Sequence, residues 1–545
     1  MIIRKKPARP HGLKEPFRHE NHPKPVTRRQ LLGAGFLSGY GMVVAPAWLG
    51  AIFKVSQAKA ALDTDIGQLT TECHIAGGLG GSGPLPFITI DLAGGANLMG
   101  SEALAGLQGG YTNFISTAGY GKLGLPGNML PTSPTFVNTS LGLAFHSDSA
   151  ILRGIQSKAS TVTQAGVNGV VIPAMSQNDT GNNTLNSMYL IALAAMGVGS
   201  TPTTYGTLLT LCGTESTVSG GNSAAPANFI NPTLQPTKIA QTSDDTGLVS
   251  SSPTPVSADT IQALQSQARI SAGVTPFANS STPFGASDLG NITLVPGSPA
   301  ADAALKEQVR CAYVKTASTV DRFNSPSVLN PSLDTNIVAS SGGIFTPTEY
   351  MGSGDYQATG AVMKLVLNGF AGAGTIVLGG YDYHDSTRAT GETKNFEAGV
   401  VIGAILDYAR RVGSPVLIQV ISDGSLTSTG MVDSSAAGRG KFGWQGDSQQ
   451  VAASLLLAYS PKGRPGLTNG VASQQIGFLN SDGTVNATSS PAANANNLLC
   501  QVVALNWMAA NGTAGNFSTV FTGMYQQGLG SAAAQAALTS FTQIT

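Results

Sequence analysis

The chain has 545 residues, of which only 11% are charged, and its 29 basic and 29 acidic side chains give a formal net charge of zero. That balance is uneven along the chain, because the first 60 residues hold eleven Lys and Arg but only two acids, leaving 18 basic and 27 acidic residues beyond them. A remainder with a net charge near −9 and no basic run argues against nucleic-acid binding.

The N-terminal segment has the features of an export signal. Arg28 and Arg29 follow Thr27 and precede an uncharged stretch over 31–53, which glycines and a proline make less apolar than a spanning helix. Ala58 and Ala60 offer a small-residue cleavage site. Residues 1–60 are therefore predicted to be a twin-arginine signal peptide, with a retained membrane anchor as the alternative. We expect a periplasmic or extracellular protein with no membrane attachment after cleavage.

The first elements of the remaining chain, 61–545, are one buried strand and one irregular region. The run from Phe87 to Leu92 ends in Gly94–Gly95, which is typical of a strand entering a tight loop. From about 213 to 258 the sequence is dominated by Ser, Thr, Pro, Gly and Asn, which predicts a long irregular surface excursion. The segment 299–320 is rich in Ala, Leu, Lys and Glu and resembles a helix.

The clearest pattern begins near residue 356. It predicts a helix over 356–370, a strand over 374–380, a helix over 395–413 and a strand over 415–422. Arg410 and Arg411 lie in the last turn of the second helix, and Gly413 occupies its C-cap position. Alternation of helices with continuously apolar strands predicts an α/β fold with a doubly wound, mainly parallel sheet covered on both faces. We expect residues 61–545 to form a single domain of this class.

Acidic residues follow several of these strands. Asp91 and Asn97 flank the first loop, Asp382, His384 and Asp385 follow the strand over 374–380, and Asp423 follows the strand over 415–422. Asp447 precedes another apolar run. Because ligands collect at the carboxyl ends of parallel strands, we expect these loops to converge and to offer ligands for a divalent cation. Asp91 is equally well explained as an acid that caps the Gly94–Gly95 turn.

The cysteines and the other histidines carry less information. Cys73, Cys212, Cys311 and Cys500 share no metal-binding spacing, and both disulfides and buried free thiols are compatible with their positions. His74 and His146 have no neighbouring acids and are expected to be surface or hydrogen-bonded core residues.

The ordered set of motifs resembles the DUF1501 family, exported bacterial proteins related to the alkaline phosphatase and sulfatase superfamily. The family shows GG-x-D-G-L-N, G-W-D-T-H, S-E-F-G-R and D-H-G after its leader; the chain has "DLAGGANLMG", "LGGYDYHD", "VISDGSLT" and "WQGDSQQ" in that order. The resemblance covers the leader, residues 84–100 and about 356–465. It implies an alkaline-phosphatase-like fold and five metal ligands, namely Asp382, His384, Asp423, Asp447 and Asn97.

Departures from the family pattern bear on activity. Asn97 replaces an aspartate, Asp423 replaces a glutamate, and Ser448 replaces a histidine, whereas Asp382 and His384 match. A nucleophile is also required in that superfamily. Ser101, Thr180 and Thr184 are available, but nothing in their sequence context marks one of them.

These features predict a degenerate metal-hydrolase site. We expect it to hold one divalent cation, Ca²⁺, Mg²⁺ or Mn²⁺, in a protein that acts in binding or assembly with an envelope partner. The alternative is a metal-dependent hydrolase acting on small anionic phosphate or sulfate esters.

Overall fold

The computed structural model describes residues 84–176, 185–196, 209–215, 236–248, 326–522 and 526–544, together with a few helical residues between 264 and 317. All of them belong to one unit that spans Val44–Thr545. The predicted signal peptide, residues 1–60, lies outside the described residues. Among the described residues no helix is both long and apolar enough to span a membrane.

The strands are short to medium in length, and most of them are buried. In chain order they are β1 (Phe87–Leu92), β2 (Val137–Asn138), β3 (Phe145–His146), β4 (Val167–Pro173), β5 (Leu209–Gly213), β6 (Thr237–Lys238), β7 (Ala371–Leu378), β8 (Val416–Ser422), β9 (Leu426–Val432), β10 (Phe442–Asp447) and β11 (Ala453–Tyr459).

Seven of these described strands form the central sheet, in the order β4-β11-β8-β1-β7-β5-β6. β1 lies between β8 and β7 and is parallel to both, and β5 and β6 continue the parallel arrangement. β11 is antiparallel to both of its neighbours, β8 and β4. The predicted mainly parallel sheet is thus confirmed, with one reversed strand. β9 pairs with β10, and β2 with β3, in separate two-stranded ribbons.

The helices are α1 (Thr117–Lys122), α2 (Ala150–Lys158), α3 (Thr161–Ala165), α4 (Met188–Met196), α5 (Thr242–Gly247), α6 (Pro347–Gly352), α7 (Gly354–Leu367), α8 (Ala389–Val412), α9 (Asn496–Ala510), α10 (Phe517–Val520) and α11 (Ala532–Ala537). Side chains alternate between the two faces of a strand. In β1, Ile88 and Ile90 pack in one core with α2, α7 and α8, whereas Phe87 packs in a second core with α4 and α9. Helices therefore cover both faces, as the sequence predicts for an α/β protein.

Helix α8 positions much of the candidate site. It spans 24 residues and ends at Gly413, whose φ of 68° provides the predicted left-handed C-cap. It begins six residues earlier than predicted, because a distant residue caps its N-terminus: Asp433 accepts hydrogen bonds from the backbone N–H groups of Arg388 (2.8 Å) and Ala389 (3.3 Å). No local sequence pattern contains this long-range cap.

The region predicted to be irregular, 213–258, contains regular structure where it is described. β6 adds an edge strand to the sheet through two residues, and α5 follows it. The sequence of β6 is too short to produce an apolar period, so its pairing with β5 was not predictable from pattern. Within 299–320 the described residues are helical, in agreement with the prediction.

The cysteines within the described residues are free thiols. Cys212 and Cys500 are both buried, and burial raises the pKa of Cys500 to about 12. Such thiols act as small apolar side chains. Cys73 and Cys311 lie outside the described residues, so the free-thiol alternative holds for two of the four positions.

Candidate metal centre

Three of the predicted ligands lie together at the edge of the sheet. His384 Nε2 is 2.8 Å from Asp382 Oδ1 and 3.9 Å from Asp447 Oδ1. Ligand atoms of all three residues lie within 4.8 Å of one another. Their side chains are exposed, at 41% for His384, 58% for Asp382 and 47% for Asp447. We call Asp382, His384 and Asp447 the exposed triad. Its two carboxylates and one imidazole can bind a divalent cation from one side.

Backbone contacts bring the loops of the triad together. The Tyr381 N–H donates to the Ala93 carbonyl (3.1 Å), which joins the loop after β7 to the loop after β1. Gly94 is required here, because its φ is 139° and a Cβ atom would lie 2.3 Å from the backbone nitrogen of Asp382. On the other side, the Ser448 N–H donates to the Ser425 carbonyl (2.7 Å). The convergence of loops follows from the parallel order of β8, β1 and β7.

Asp423 has a different position from the exposed triad. It is 3% exposed, and its Oδ1 accepts the Gly94 N–H at 2.6 Å. The acid that caps the glycine turn is therefore Asp423, a residue of the loop after β8. Asp91 lies within β1, fully buried and opposite Val377 and Ile421 of the neighbouring strands.

Asn97 is fully buried beneath the loops. Its backbone N–H donates to the Tyr383 hydroxyl (2.9 Å), and its carbonyl accepts from Asn395 Nδ2 (3.3 Å). The side-chain amide has no hydrogen-bond partner among the described residues. Its main visible contribution is to the support of the loop over 379–385, whereas the exposed triad faces solvent.

A cleft of about 280 Å³ adjoins the triad at Asp447. Small polar and acidic residues line it, and none of those described is Lys or Arg: Ser176, Asp423, Gly424, Ser425, Asp447, Ser448 and Gln449. Ser448, which follows Asp447 directly, is among the lining residues and brings a hydroxyl group to the cleft.

The structure places one of the three nucleophile candidates. Ser101 is fully buried, and its hydroxyl accepts a hydrogen bond from Arg388 Nη2 at 2.8 Å. A buried serine in that environment has a structural role. Thr180 and Thr184 lie outside the described residues.

His146 is a core residue, as expected, and His74 lies outside the described residues. The ring of His146 stacks on Phe136, its Nε2 lies 2.9 Å from the Met129 carbonyl, and its Nδ1 accepts from the Asp148 N–H. Burial lowers the pKa of His146 to about 4, so the imidazole is neutral at pH 7.

Behind the triad lies a buried ion network that the sequence did not reveal. Arg388, Glu392, Lys441 and Glu102 are all at most 5% exposed. Glu392 Oε1 accepts from Arg388 Nε and from Lys441 Nζ, both at 2.8 Å. Burial alone would raise the pKa of Glu392, but these two cations hold it below its ordinary value. Burial raises the pKa of Glu102 and lowers that of Lys441.

Only one pair of this network could have been predicted from a local sequence pattern. The spacing of Arg388 and Glu392 is that of an i,i+4 pair on a helix. Lys441 lies in another segment, 49 residues from Glu392, and no periodicity connects the two.

A search against models of known protein families matches none of them, and a search of curated proteins returns no match either. The fold and the site therefore define the class: an α/β protein with a mostly parallel seven-stranded sheet and a polar, acidic cluster at the carboxyl ends of its strands.

Proposed function

We propose that this chain is an exported, DUF1501-like protein that binds one divalent cation at the exposed triad. Its role is the binding or assembly of a partner in the cell envelope. The observation that carries the proposal is the mutual approach of Asp382, His384 and Asp447 within 4.8 Å. Export is inferred from the twin-arginine motif at Arg28–Arg29 and from the small-residue cleavage site at Ala58 and Ala60. An alkaline-phosphatase-like arrangement of the mostly parallel sheet is part of the same proposal.

The donor set supports a single cation of the Ca²⁺, Mg²⁺ or Mn²⁺ type. Ligand atoms around such an ion lie roughly 2.0–2.6 Å from it, so neighbouring donors are separated by distances like the 2.8 and 3.9 Å observed at His384. Two carboxylates and one imidazole fill half or less of a six- to eight-ligand shell. Exposed donors with open positions predict modest affinity.

Charge favours binding over ester hydrolysis. One divalent cation would balance Asp382 and Asp447 and leave no formal positive charge. Hydrolases of phosphate esters stabilise a transferring anion with two metal ions or with Arg and Lys. Asp423 already accepts the Gly94 N–H, and none of the described residues lining the adjoining cleft is basic.

A metal-dependent hydrolase of phosphate or sulfate esters is the second candidate. It is favoured by the cleft beside Asp447, which Ser425 and Ser448 also line. A small ester bound there would lie next to the cation. This candidate function needs a nucleophilic side chain or a metal-bound water that attacks the ester.

The test is a Mn²⁺ and Ca²⁺ titration of the protein recovered from the periplasm of expressing cells. We expect one site with a dissociation constant of about 10–1000 μM, in the range of weak calcium sites. His384→Ala and Asp447→Asn should abolish it. Asp482→Asn is the matched control, because Asp482 is as exposed (58%) as Asp382 but lies outside the triad.

A parallel screen with phosphate and sulfate monoesters separates the two candidates. Turnover that disappears in His384→Ala would favour the hydrolase. Absence of any cation binding in the native protein would refute both. Replacement of Arg28 and Arg29 by Lys should retain the precursor in the cytoplasm; unchanged export would contradict the localisation.

A further inference from the structure

The first part of the loop over 380–386, residues 380–384, alternates between exposed and buried residues. Tyr381 and Tyr383 are 1% and 2% exposed, whereas the intervening Asp382 and the following His384 are exposed. In an extended segment, alternate side chains point to opposite sides. Two buried tyrosines therefore place the carboxylate and the imidazole of the triad on the same, outer side.

Tyr383 is held on several sides. Its ring centroid lies 6.3 Å from that of Tyr381 and 6.3 Å from the ring of Trp444. Its hydroxyl accepts the Asn97 N–H (2.9 Å) and donates to Asn395 Oδ1 (3.0 Å). One side chain thus connects the loop after β1, the loop of the triad and helix α8.

The hydrogen-bond partner of Tyr383 on helix α8 is fixed in turn. Asn395 Nδ2 donates to Glu102 Oε1 at 3.0 Å and to the Asn97 carbonyl at 3.3 Å. Glu102 accepts from the Ile151 N–H and from Ser149 Oγ. The Tyr383 hydroxyl is therefore the outer end of a buried hydrogen-bond chain.

The ends of the loop are constrained by backbone conformation. Gly380 has a φ of 82°, and Ser386, which is not glycine, has a φ of 67°. The strained conformation of Ser386 is held by its N–H, which donates to the Trp444 carbonyl at 2.8 Å. The C-terminal end of the loop is thus anchored to β10 through the backbone.

From this geometry we infer that Tyr383 is a positioning residue, whose buried hydroxyl sets the separation of Asp382 and His384 before any cation binds. The expected effect of Tyr383 on cation affinity rests on the proposed function, whereas its expected effect on the order of the loop does not. A ligand pair fixed in advance avoids an ordering cost on binding, and groups that orient ligands contribute roughly 10- to 100-fold to metal affinity.

The test compares Tyr383→Phe with Tyr408→Phe in the full exported protein. Tyr408 is also a buried tyrosine with a hydroxyl bonded on both sides, to Asp334 Oδ2 and Asn368 Nδ2, each at 2.8 Å. It lies on the same helix as Asn395, about 20 Å further along at 1.5 Å per residue. Both variants remove one hydroxyl from the core and keep the ring.

Two readouts are measured: the Mn²⁺ affinity and the hydrogen exchange of the backbone amides of residues 380–387. We expect Tyr383→Phe to weaken Mn²⁺ binding at least tenfold and to speed exchange in that loop. Tyr408→Phe should change neither the Mn²⁺ affinity nor the exchange in that loop, even if its melting temperature falls by as much as that of Tyr383→Phe.

The outcomes distinguish the inference from the proposed function. Native affinity in Tyr383→Phe, or equal loss in both variants, would overturn the positioning role. A native protein that binds no Mn²⁺ would refute the proposed function alone; the inference would then be decided by the exchange rates. Unchanged exchange at 380–387 in Tyr383→Phe would overturn it.

Discussion

The exposed triad and the buried ion network are connected through Tyr383, Asn395 and Glu102, and they differ in charge balance. The triad presents two carboxylates and one imidazole to solvent. In the network, Arg388 and Lys441 face Glu392 and Glu102, all almost inaccessible to solvent. A buried charge must be paired within the protein, whereas an exposed acid is solvated by water and can bind an ion from solution. The comparison indicates that the network maintains the fold and that the triad is available for a ligand.

The largest expected effect is on the buried side, in Lys441→Met. Lys441 Nζ lies 2.8 Å from Glu392 Oε1, 3.3 Å from Asp148 Oδ2 and 2.6 Å from the Asp148 carbonyl. Removal of one member of a buried pair leaves an uncompensated charge, which costs about 3–5 kcal/mol of unfolding free energy. Denaturant unfolding measures it.

Lys122→Met is the control for that substitution. Lys122 pairs with Asp482 at 2.9 Å, but both side chains are substantially exposed. Exposed pairs contribute about 0–1 kcal/mol. Equal losses in the two variants would remove the energetic distinction between the two regions.

The second prediction concerns pH and His146. Because burial lowers its pKa to about 4, the unfolded chain binds the extra proton first as the pH falls. Stability should therefore be lost progressively between about pH 6.5 and pH 4, by at most about 3 kcal/mol for this residue. Urea midpoints at pH 7.0 and 4.5 measure the loss. His146→Gln keeps a donor and an acceptor but does not titrate, so its midpoint should depend less on pH; an identical pH dependence would contradict the assignment.

The third prediction concerns Asp433, which caps helix α8 from the β9–β10 connection. Hydrogen bonds from Ser435 and from the Arg388 N–H lower the pKa of Asp433 to about 2. Asp433→Ala should lower the unfolding free energy by about 1–2 kcal/mol, as for other N-cap losses. Asp433→Asn keeps a neutral acceptor but loses the charge, so it should recover only a small part of it. The contribution exists above the unfolded pKa near 4 and disappears as pH falls towards 2. A loss in Asp433→Ala that persists unchanged at pH 2 would argue against the cap.

The sheet was predictable because its signal is local. β1, β7 and β8 are mostly apolar segments, interrupted by Thr89 and Asp91 in β1, and Gly413 marks the end of α8. The position of Asp382 and His384 after β7 followed from one general rule about strand ends, whereas Asp447 ends β10 in the separate ribbon. Each of these inferences uses a window of about 20 residues or a single topological rule.

The details of the candidate site depend on long-range contacts. Asp423 was expected among the ligands, which stays a prediction, and the structure adds that its Oδ1 accepts the N–H of Gly94, 329 residues away. Asn97 was also expected among the ligands, which stays a prediction, and the structure adds that its backbone N–H donates to the Tyr383 hydroxyl. For both residues, a tertiary partner that no local sequence pattern contains decides how the group is used.

The smallest expected effect is on the exposed side of the comparison, on removal of the cation. Exposed charged groups contribute little by themselves, so His384→Ala should change the unfolding free energy by less than about 0.5 kcal/mol in chelator. With a free cation at ten times its dissociation constant, native protein should gain about 1.4 kcal/mol, and His384→Ala should gain nothing. Thermal unfolding with and without EDTA measures both. A loss of several kcal/mol on chelation would show that the triad maintains the fold as the buried network does. A small gain that occurs only in the native protein is the expected result if the triad binds a ligand and the buried network already stabilises the fold.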